Sequence, residues 1–199
     1  MIRWTRDLEA VTGLDEAWAW PVRLDSSEVA RTLAGSPARA CDLADAALLR
    51  QPDAGARRLL RRRLLRALVA RALGRPVEAV RIGRSADGAP ETDGGFVSIA
   101  ARGGWALLAV GPAPVGVDLE VRGGEPPPDL AGCVEAPWAA WTAREAYAKA
   151  AGVPLDDALA APVLRVTADH VELQAGPRRL AVARFERDDI VCAAVMMRP

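Results

Sequence analysis

The most regular hydrophobic pattern in the chain lies between residues 56 and 73. Apolar side chains recur there at spacings of three and four residues, and Gly74 follows the last of them. The pattern predicts an amphipathic helix over residues 56–73 that stops at this glycine, after a break at residues 51–55. The other faces of the helix carry seven arginines, which are Arg57, Arg58, Arg61, Arg62, Arg63, Arg66 and Arg71. Such a run is typical of a solvated face, and the alternative is that one or two of them bind phosphate.

Shorter apolar runs predict strands in much of the remaining chain. Residues 96–99 and 105–110 flank a Gly-Gly pair and predict a hairpin, and residues 115–121 predict a strand with acidic side chains at alternate positions. Residues 38–50 and 138–151 predict two further helices, and four runs between residues 164 and 197 predict an antiparallel meander. Residues 122–128, rich in Gly and Pro, predict a loose connection. Together these elements predict an α+β fold.

One segment of the chain has a counterpart elsewhere in it. Residues 104–110 and residues 189–195 each combine a polar turn with an apolar strand. This short echo indicates two related α+β halves. We expect an N-terminal half over residues 1–113 and a C-terminal half over residues 114–199.

Composition narrows the classes of protein to consider. Of the 199 residues, 51% are hydrophobic, which is enough for a sizeable core. Basic and acidic side chains balance at 26 each, so the zero net charge argues against a nucleic-acid binder that relies on bulk attraction. Three widely spaced cysteines fit neither a disulfide framework nor a zinc site, and we expect buried free thiols. With neither a signal peptide nor a membrane-spanning apolar run, we expect a soluble cytoplasmic protein.

The candidate chemistry centres on Lys149, the single lysine of the chain. Glu145 lies four residues before it and shares its helix face, while Asp118 and Glu120 project from one face of the predicted strand. Each pair alone is typical of solvated surface. Three converging carboxylates would repel one another without a hard cation, for which Mg²⁺ is the natural candidate. An ammonium beside them could stabilise charge that develops on a phosphoryl oxygen.

Two motifs carry a resemblance to a known family. The sequence VGVDLE at residues 115–120, followed by WTAREAYAKAAG at residues 141–152, resembles the signature motifs of the 4′-phosphopantetheinyl transferases of the monomeric, surfactin-synthetase type. In that family the motifs read approximately (I/V)-G-(I/V)-D-(I/L)-E and W-(S/T)-x-K-E-(A/S)-x-x-K-x-x-G. The turn at residues 88–90 is similar to a family G-(K/R)-P turn, and residues 97–110 are similar to its (F/W)-N-(I/L)-S-H-S strand and hairpin. The likeness covers about residues 55–199.

The resemblance implies a fold and a reaction. The fold would be two similar α/β halves around a pseudo-two-fold axis, each a small antiparallel sheet packed on a helix, with coenzyme A between them. The reaction would be the Mg²⁺-dependent transfer of 4′-phosphopantetheine from coenzyme A to a serine of an acyl or peptidyl carrier protein, in polyketide, peptide or fatty-acid synthesis. The enzyme would be a monomer that binds neither nucleic acid nor membrane.

The resemblance also implies roles for individual residues. Asp118, Glu120 and Glu145 would hold Mg²⁺ against the pyrophosphate, Glu145 would take the serine proton, and Lys149 would offset charge on the phosphate oxygens. Four further residues would contact coenzyme A, namely Arg57, Gly88, Pro90 and Arg102.

This chain departs from the family at the nucleotide end. Ala100-Ala101-Arg102 stands where the family has S-H-S, and Ala89 stands where it has a base. The connection from Glu120 to Trp141 is shorter than usual and lacks an acidic helix that helps receive the carrier protein. Two hypotheses follow. In the first, Arg102 replaces the lost cation in a working transferase; in the second, a degenerate or repurposed homologue binds a carrier protein or a coenzyme A-like ligand without performing the transfer.

Overall fold

The computed structural model describes residues 1–86, 88–123 and 136–197, and the described chain is a mixed α+β fold. The strands are β1 (Ile2–Trp4), β2 (Ala17–Arg23), β3 (Ile82–Arg84), β4 (Pro90–Thr92), β5 (Phe96–Arg102), β6 (Trp105–Gly111), β7 (Val115–Val121), β8 (Val163–Val166), β9 (His170–Ala175), β10 (Arg178–Arg187) and β11 (Ile190–Met196). The α-helices are α1 (Ser27–Ala34), α2 (Ala40–Ala47), α3 (Pro52–Leu73), α4 (Pro137–Ala151) and α5 (Leu155–Leu159). Short 3₁₀ turns occupy Leu8–Ala10 and Val77–Ala79.

The strands form two larger sheets and one small ribbon. The first sheet has the order β1-β2-β6-β5, the second has the order β7-β11-β10-β9-β8, and β3 pairs with β4 alone. The predicted hairpin is β5–β6, and the predicted meander is β8–β11, which pairs antiparallel throughout. The expected division at residue 113 falls between β6, which lies in the first sheet, and β7, which lies in the second. The division of the chain into two halves stays a prediction.

One part of the expected fold is wrong, because the first sheet is not purely antiparallel. Strand β1 pairs parallel to β2, with Ile2 opposite Ala17. A parallel pair requires a crossover between its strands, and residues 5–16 supply it with a 3₁₀ turn at Leu8–Ala10. The first strand therefore joins the sheet at its edge.

Side-chain alternation arranges the two sheets and their helices in layers. In β2, Trp18 and Trp20 face a core shared with α3, while Ala17 and Ala19 face a second core. That second core also contains Val117 of β7 and the inward residues of β11, so the two sheets share it. A third core lies between the other face of the second sheet and α4. The order of layers is helix, sheet, sheet, helix.

The predicted helix at residues 56–73 is confirmed, but the predicted break before it is wrong. Helix α3 begins at Pro52. Proline suits the first turn of a helix, since an N–H group there would have no partner within the helix. Gly55 belongs to the helix and lets α2 approach, since a Cβ there would lie 2.9 Å from the Ala46 carbonyl oxygen. Gly74 ends α3 in the left-handed conformation, as the sequence predicts.

Three further expectations concern the surface and the cysteines. No helix in the described ranges is long and apolar enough to cross a membrane. Cys192 is a buried free thiol, whereas Cys41 is a free thiol on the surface, where the expectation of burial is wrong. Cys133 and most of the connection at residues 122–128 lie outside the described residues.

Candidate functional site

The site forms where helix α4 lies directly on strand β7. Gly116 faces the helix backbone, and a Cβ on it would lie 2.5 Å from the Ala150 nitrogen and closer still to the Ala146 carbonyl oxygen. Only a glycine permits this approach. The face of α4 that meets the sheet is made of small buried residues, namely Ala139, Ala143, Ala146 and Ala150. The close contact brings the acidic face of β7 under the helix.

The strand period explains which side chains reach the helix. Val117 and Leu119 enter the core between the sheets, so the alternate residues Gly116, Asp118 and Glu120 lie on the face toward α4. Residues far apart in the sequence, on β7 and α4, thereby meet at one place.

Lys149 connects the strand and the helix. Its Nζ donates to Asp118 Oδ1 at 2.7 Å and to the Val117 carbonyl oxygen at 3.1 Å. It also lies 3.6 Å from Glu145 Oε2, one helical turn earlier. The lysine side chain is 36% exposed and that of Asp118 is 6% exposed. The ammonium therefore contacts two acids and keeps access to solvent.

The site contains three carboxylates, Asp118, Glu120 and Glu145, and two cations, Lys149 and Arg102. Oδ2 of Asp118 is buried and accepts no hydrogen bond within the described residues. Burial, followed by the charge of Asp118, raises the pKa of Glu145 to about 7, against the opposing effect of Lys149. The charge of Glu120 raises this pKa further.

The third carboxylate, Glu120, has its own cation. Arg102 Nε lies 3.3 Å from Glu120 Oε2, across the exposed end of the β5–β6 hairpin. Burial raises the pKa of Glu120 above its ordinary value; the charge of Arg102 opposes that effect, and the charge of Asp118 adds to it. Glu120 therefore interacts electrostatically with both other acids at the edge of the site.

The carboxylates of the site offer only part of the ligand shell that a metal ion needs. No group of three or more His, Cys, Asp or Glu side chains in the described ranges is arranged to hold a metal. Magnesium, however, is usually bound through one or two carboxylates, with waters and substrate phosphates completing the shell. Oδ2 of Asp118, which has no hydrogen-bond partner in the described part of the chain, and the neighbouring carboxylate of Glu145 fit that mode. The residues suit a Mg²⁺ shared with a phosphate ligand, and they do not form a closed protein cage.

A second feature is the arginine cavity, a space of about 240 Å³ between α3 and the β3–β4 ribbon. Its walls are mostly arginine on one side and small or apolar on the other. The residues that line it are Asp45, Arg58, Arg61, Arg62, Arg84, Gly88, Pro90, Ile99 and Ala101. Two of the residues expected to contact coenzyme A, Gly88 and Pro90, are among them.

The other two expected contacts lie elsewhere. Arg57 is exposed on α3 and does not line the cavity. Ala101 lines it, and the next residue, Arg102, pairs with Glu120 instead because successive side chains of a strand point to opposite faces. The cations of the cavity come from α3 and β3. The run of arginines in the sequence indicated these cations. Which of the arginines reach the cavity depends on how α3 is rotated against α2.

Comparison with known proteins found no match to a family model and none to a curated protein. The resemblance therefore depends on the two motifs and on the placement of their residues. Most of the connection expected to receive a carrier protein lies outside the described residues.

Proposed function

We propose that this chain is a monomeric, cytoplasmic, Mg²⁺-dependent 4′-phosphopantetheinyl transferase that modifies a serine of an acyl or peptidyl carrier protein. One observation carries the proposal. The motif residues Asp118, Glu145 and Lys149, from a strand and a helix, meet in one cluster with a buried carboxylate oxygen that accepts no hydrogen bond from the described residues. A plain surface ion pair would need neither that buried oxygen nor the glycine contact beneath it.

The cluster supplies groups suited to each part of the transfer. Asp118, Glu120 and Glu145 would hold Mg²⁺, which would neutralise charge on the pyrophosphate of coenzyme A. Glu145, which lies beside Lys149 in the cluster, would accept the proton of the serine hydroxyl. Lys149 would stabilise negative charge on the phosphate oxygens. The serine oxygen would form a bond to the phosphorus of the phosphopantetheine arm, and adenosine 3′,5′-bisphosphate would leave.

We further propose that the two sheets with their helices are halves related by a pseudo-two-fold axis. The two segments of the sequence echo support this, because they belong to β6 and β11, each an interior strand of its sheet. Helix α3 packs on the outer face of the first sheet and α4 on that of the second. The site lies in the C-terminal half, and the arginine cavity lies in the N-terminal half.

One observation favours a second function, that of a homologue that binds a coenzyme A-like ligand or a carrier protein without transfer. Lys149 already pairs with Asp118, and no closed metal cage stands ready in the described residues. In that case ligand binding would persist while Asp118 and Glu145 would be dispensable for it.

The experiment mixes the protein with a fluorescent coenzyme A derivative, Mg²⁺ and several apo carrier proteins. Covalent labelling of a carrier is expected, and Asp118→Asn and Glu145→Gln should abolish it. Asp157→Asn, an exposed acid on α5, is the matched control and should label normally. Failure to label any carrier, together with no binding of coenzyme A by calorimetry, would overturn the proposal. Binding without labelling would support the second function.

A further inference from the structure

A separate cavity of about 700 Å³ lies between helix α1, the C-terminal end of α3 and the 3₁₀ turn at Leu8–Ala10. We name it the α1–α3 cavity, and its volume is typical of a site for a small molecule. Part of its wall consists of buried apolar side chains, namely Leu8, Val11, Ala67 and Ala70. Charged side chains of both signs make up much of the remainder. None of its residues belongs to the Asp118 cluster or lines the arginine cavity.

Opposite charges share the α1–α3 cavity without neutralising one another. Arg71 and Glu9 form one ion pair on its wall. Two acids and two arginines that also line it form no ion pair within the described ranges, and they are Asp7, Glu28, Arg31 and Arg75. The cavity therefore offers separate positive and negative groups to a ligand.

Glu28 is the half-buried acid of this set. Its Oε1 accepts a hydrogen bond from the backbone N–H of Leu8 at 3.3 Å. Burial raises the pKa of Glu28, and the charge of Asp7 adds to that effect. The hydrogen bond from Leu8 opposes burial, and the charge of Arg31 opposes it less. Because a carboxylate partly removed from water is costly without a cation, a cationic group from outside the chain would be stabilised at Glu28.

The indole Nε1 of Trp20 is a second, independent sign at the same end of the cavity. Trp20 is fully buried, and Nε1 has no hydrogen-bond partner in the part of the chain that the structure describes. The indole lowers the pKa of Glu28, which places its N–H group near that carboxylate. Native proteins leave few buried donors without an acceptor. The orphaned donor indicates that the chain alone does not complete the polar contacts around Glu28.

We infer that the α1–α3 cavity binds a small zwitterion, an α-amino acid with an apolar side chain, whose ammonium pairs with Glu28 and whose carboxylate pairs with Arg31 and Arg75. A purely cationic ligand would be repelled by these arginines, and a purely anionic one by Glu28 and Asp7. The C-terminal end of α3 carries the partial negative charge of the helix dipole, which adds to the attraction for an ammonium.

The apolar part of the wall selects the side chain of the ligand. Leu8, Val11, Ala67 and Ala70 are all buried and offer no polar side-chain atom. An aliphatic or thioether side chain placed against them would leave water, which favours binding. The inference is independent of phosphopantetheine transfer, since it uses none of the residues of the proposed active site.

The first test measures binding to the full chain by calorimetry and by thermal unfolding. The probes are L-leucine, L-valine, L-methionine and L-phenylalanine, and at least one of them should bind and stabilise the protein. For that amino acid, the N-acetyl derivative lacks the ammonium and the amide lacks the carboxylate. Each derivative should bind at least tenfold more weakly, as should glycine, which lacks the side chain.

Variants then assign each charge of the ligand to its partner. Glu28→Gln keeps an oxygen that can accept from Leu8 and should fold normally, but it should no longer distinguish the amino acid from its N-acetyl derivative. The double variant Arg31→Gln with Arg75→Gln should no longer distinguish the amino acid from its amide. Glu91→Gln and Arg81→Gln, exposed residues outside the cavity, are the matched controls and should bind as wild type does.

Three results would overturn the inference. One is the absence of both binding heat and stabilisation with all four amino acids at millimolar concentration. Another is equal binding of the amino acid and its two derivatives by the wild-type protein. The third is a Glu28→Gln variant that is folded, as its thermal unfolding shows, and that still prefers the amino acid over its N-acetyl derivative.

Discussion

Replacing Gly116 by alanine tests the contact that assembles the candidate site. The added methyl group would lie 2.5 Å from the Ala150 nitrogen and closer to the Ala146 carbonyl oxygen. Both atoms are helix backbone, so no side chain can turn away, and α4 must move off β7. Overpacking of this kind costs about 1–3 kcal/mol. A shift of the helix would also carry Lys149 and Glu145 away from Asp118, where the present Lys149–Asp118 distance is 2.7 Å.

The assay combines urea unfolding with carrier labelling on Gly116→Ala and a control. Gly35→Ala is the control, because its added Cβ would have no neighbour nearer than 3.8 Å and its backbone is not left-handed. Gly116→Ala should lose about 1–3 kcal/mol in the free energy of unfolding and at least tenfold in labelling rate. Gly35→Ala should change neither by much. A Gly116→Ala protein as stable and active as wild type would refute the proposed role of the glycine contact.

Three further predictions address the charges. Lys149→Arg should lower the labelling rate at least tenfold and change the free energy of unfolding by under about 1 kcal/mol, because the planar guanidinium does not reproduce a compact ammonium; an unchanged rate would exclude a specific role for the ammonium. Burial raises the pKa of Asp42, but hydrogen bonds from Arg66 and Arg62 hold that pKa below its ordinary value. Asp42→Asn should therefore lower the free energy of unfolding in urea by about 3–5 kcal/mol. A loss under about 1 kcal/mol would contradict this prediction. The pKa of Glu145 is raised to about 7 from its ordinary 4.5, so its contribution to stability is fully present below pH 4.5 and is lost as pH rises through 7. The free energy of unfolding should be about 1–3 kcal/mol lower at pH 8 than at pH 5 because of this group. The Glu145→Gln variant should lack this difference, and Mg²⁺ should reduce it in the wild-type protein at pH 8. An equal difference in the Gln variant would contradict the assignment to Glu145.

The directions of the side chains at the site could be predicted from the sequence because they follow from local geometry. Alternation along β7 puts Asp118 and Glu120 on one face, and the four-residue spacing puts Glu145 beside Lys149 on α4. Neither rule requires knowledge of the tertiary fold. The meeting of the two pairs does require it, and Gly116 is the sequence signal that the helix can lie close enough.

The arginine cavity was less predictable for the same physical reason. Seven arginines on α3 are equivalent in a linear pattern, and only packing against α2 decides which ones Asp42 and Asp45 neutralise. That packing depends on Gly55, which the sequence pattern assigned to a break. The parallel edge strand β1 was likewise out of reach, because its partner is chosen by a crossover and not by a local turn.

Carrier labelling by wild type and Glu145→Gln tests most directly whether the cluster of Asp118, Glu145 and Lys149 performs phosphopantetheine transfer. Mass spectrometry of an apo carrier incubated with coenzyme A and Mg²⁺ would follow the mass of one phosphopantetheine arm on its serine. Wild-type protein should add this mass, and Glu145→Gln should not, although it should still bind coenzyme A. A wild-type protein that binds coenzyme A but modifies none of the carriers, or a Gln variant that modifies them at the wild-type rate, would contradict the proposal.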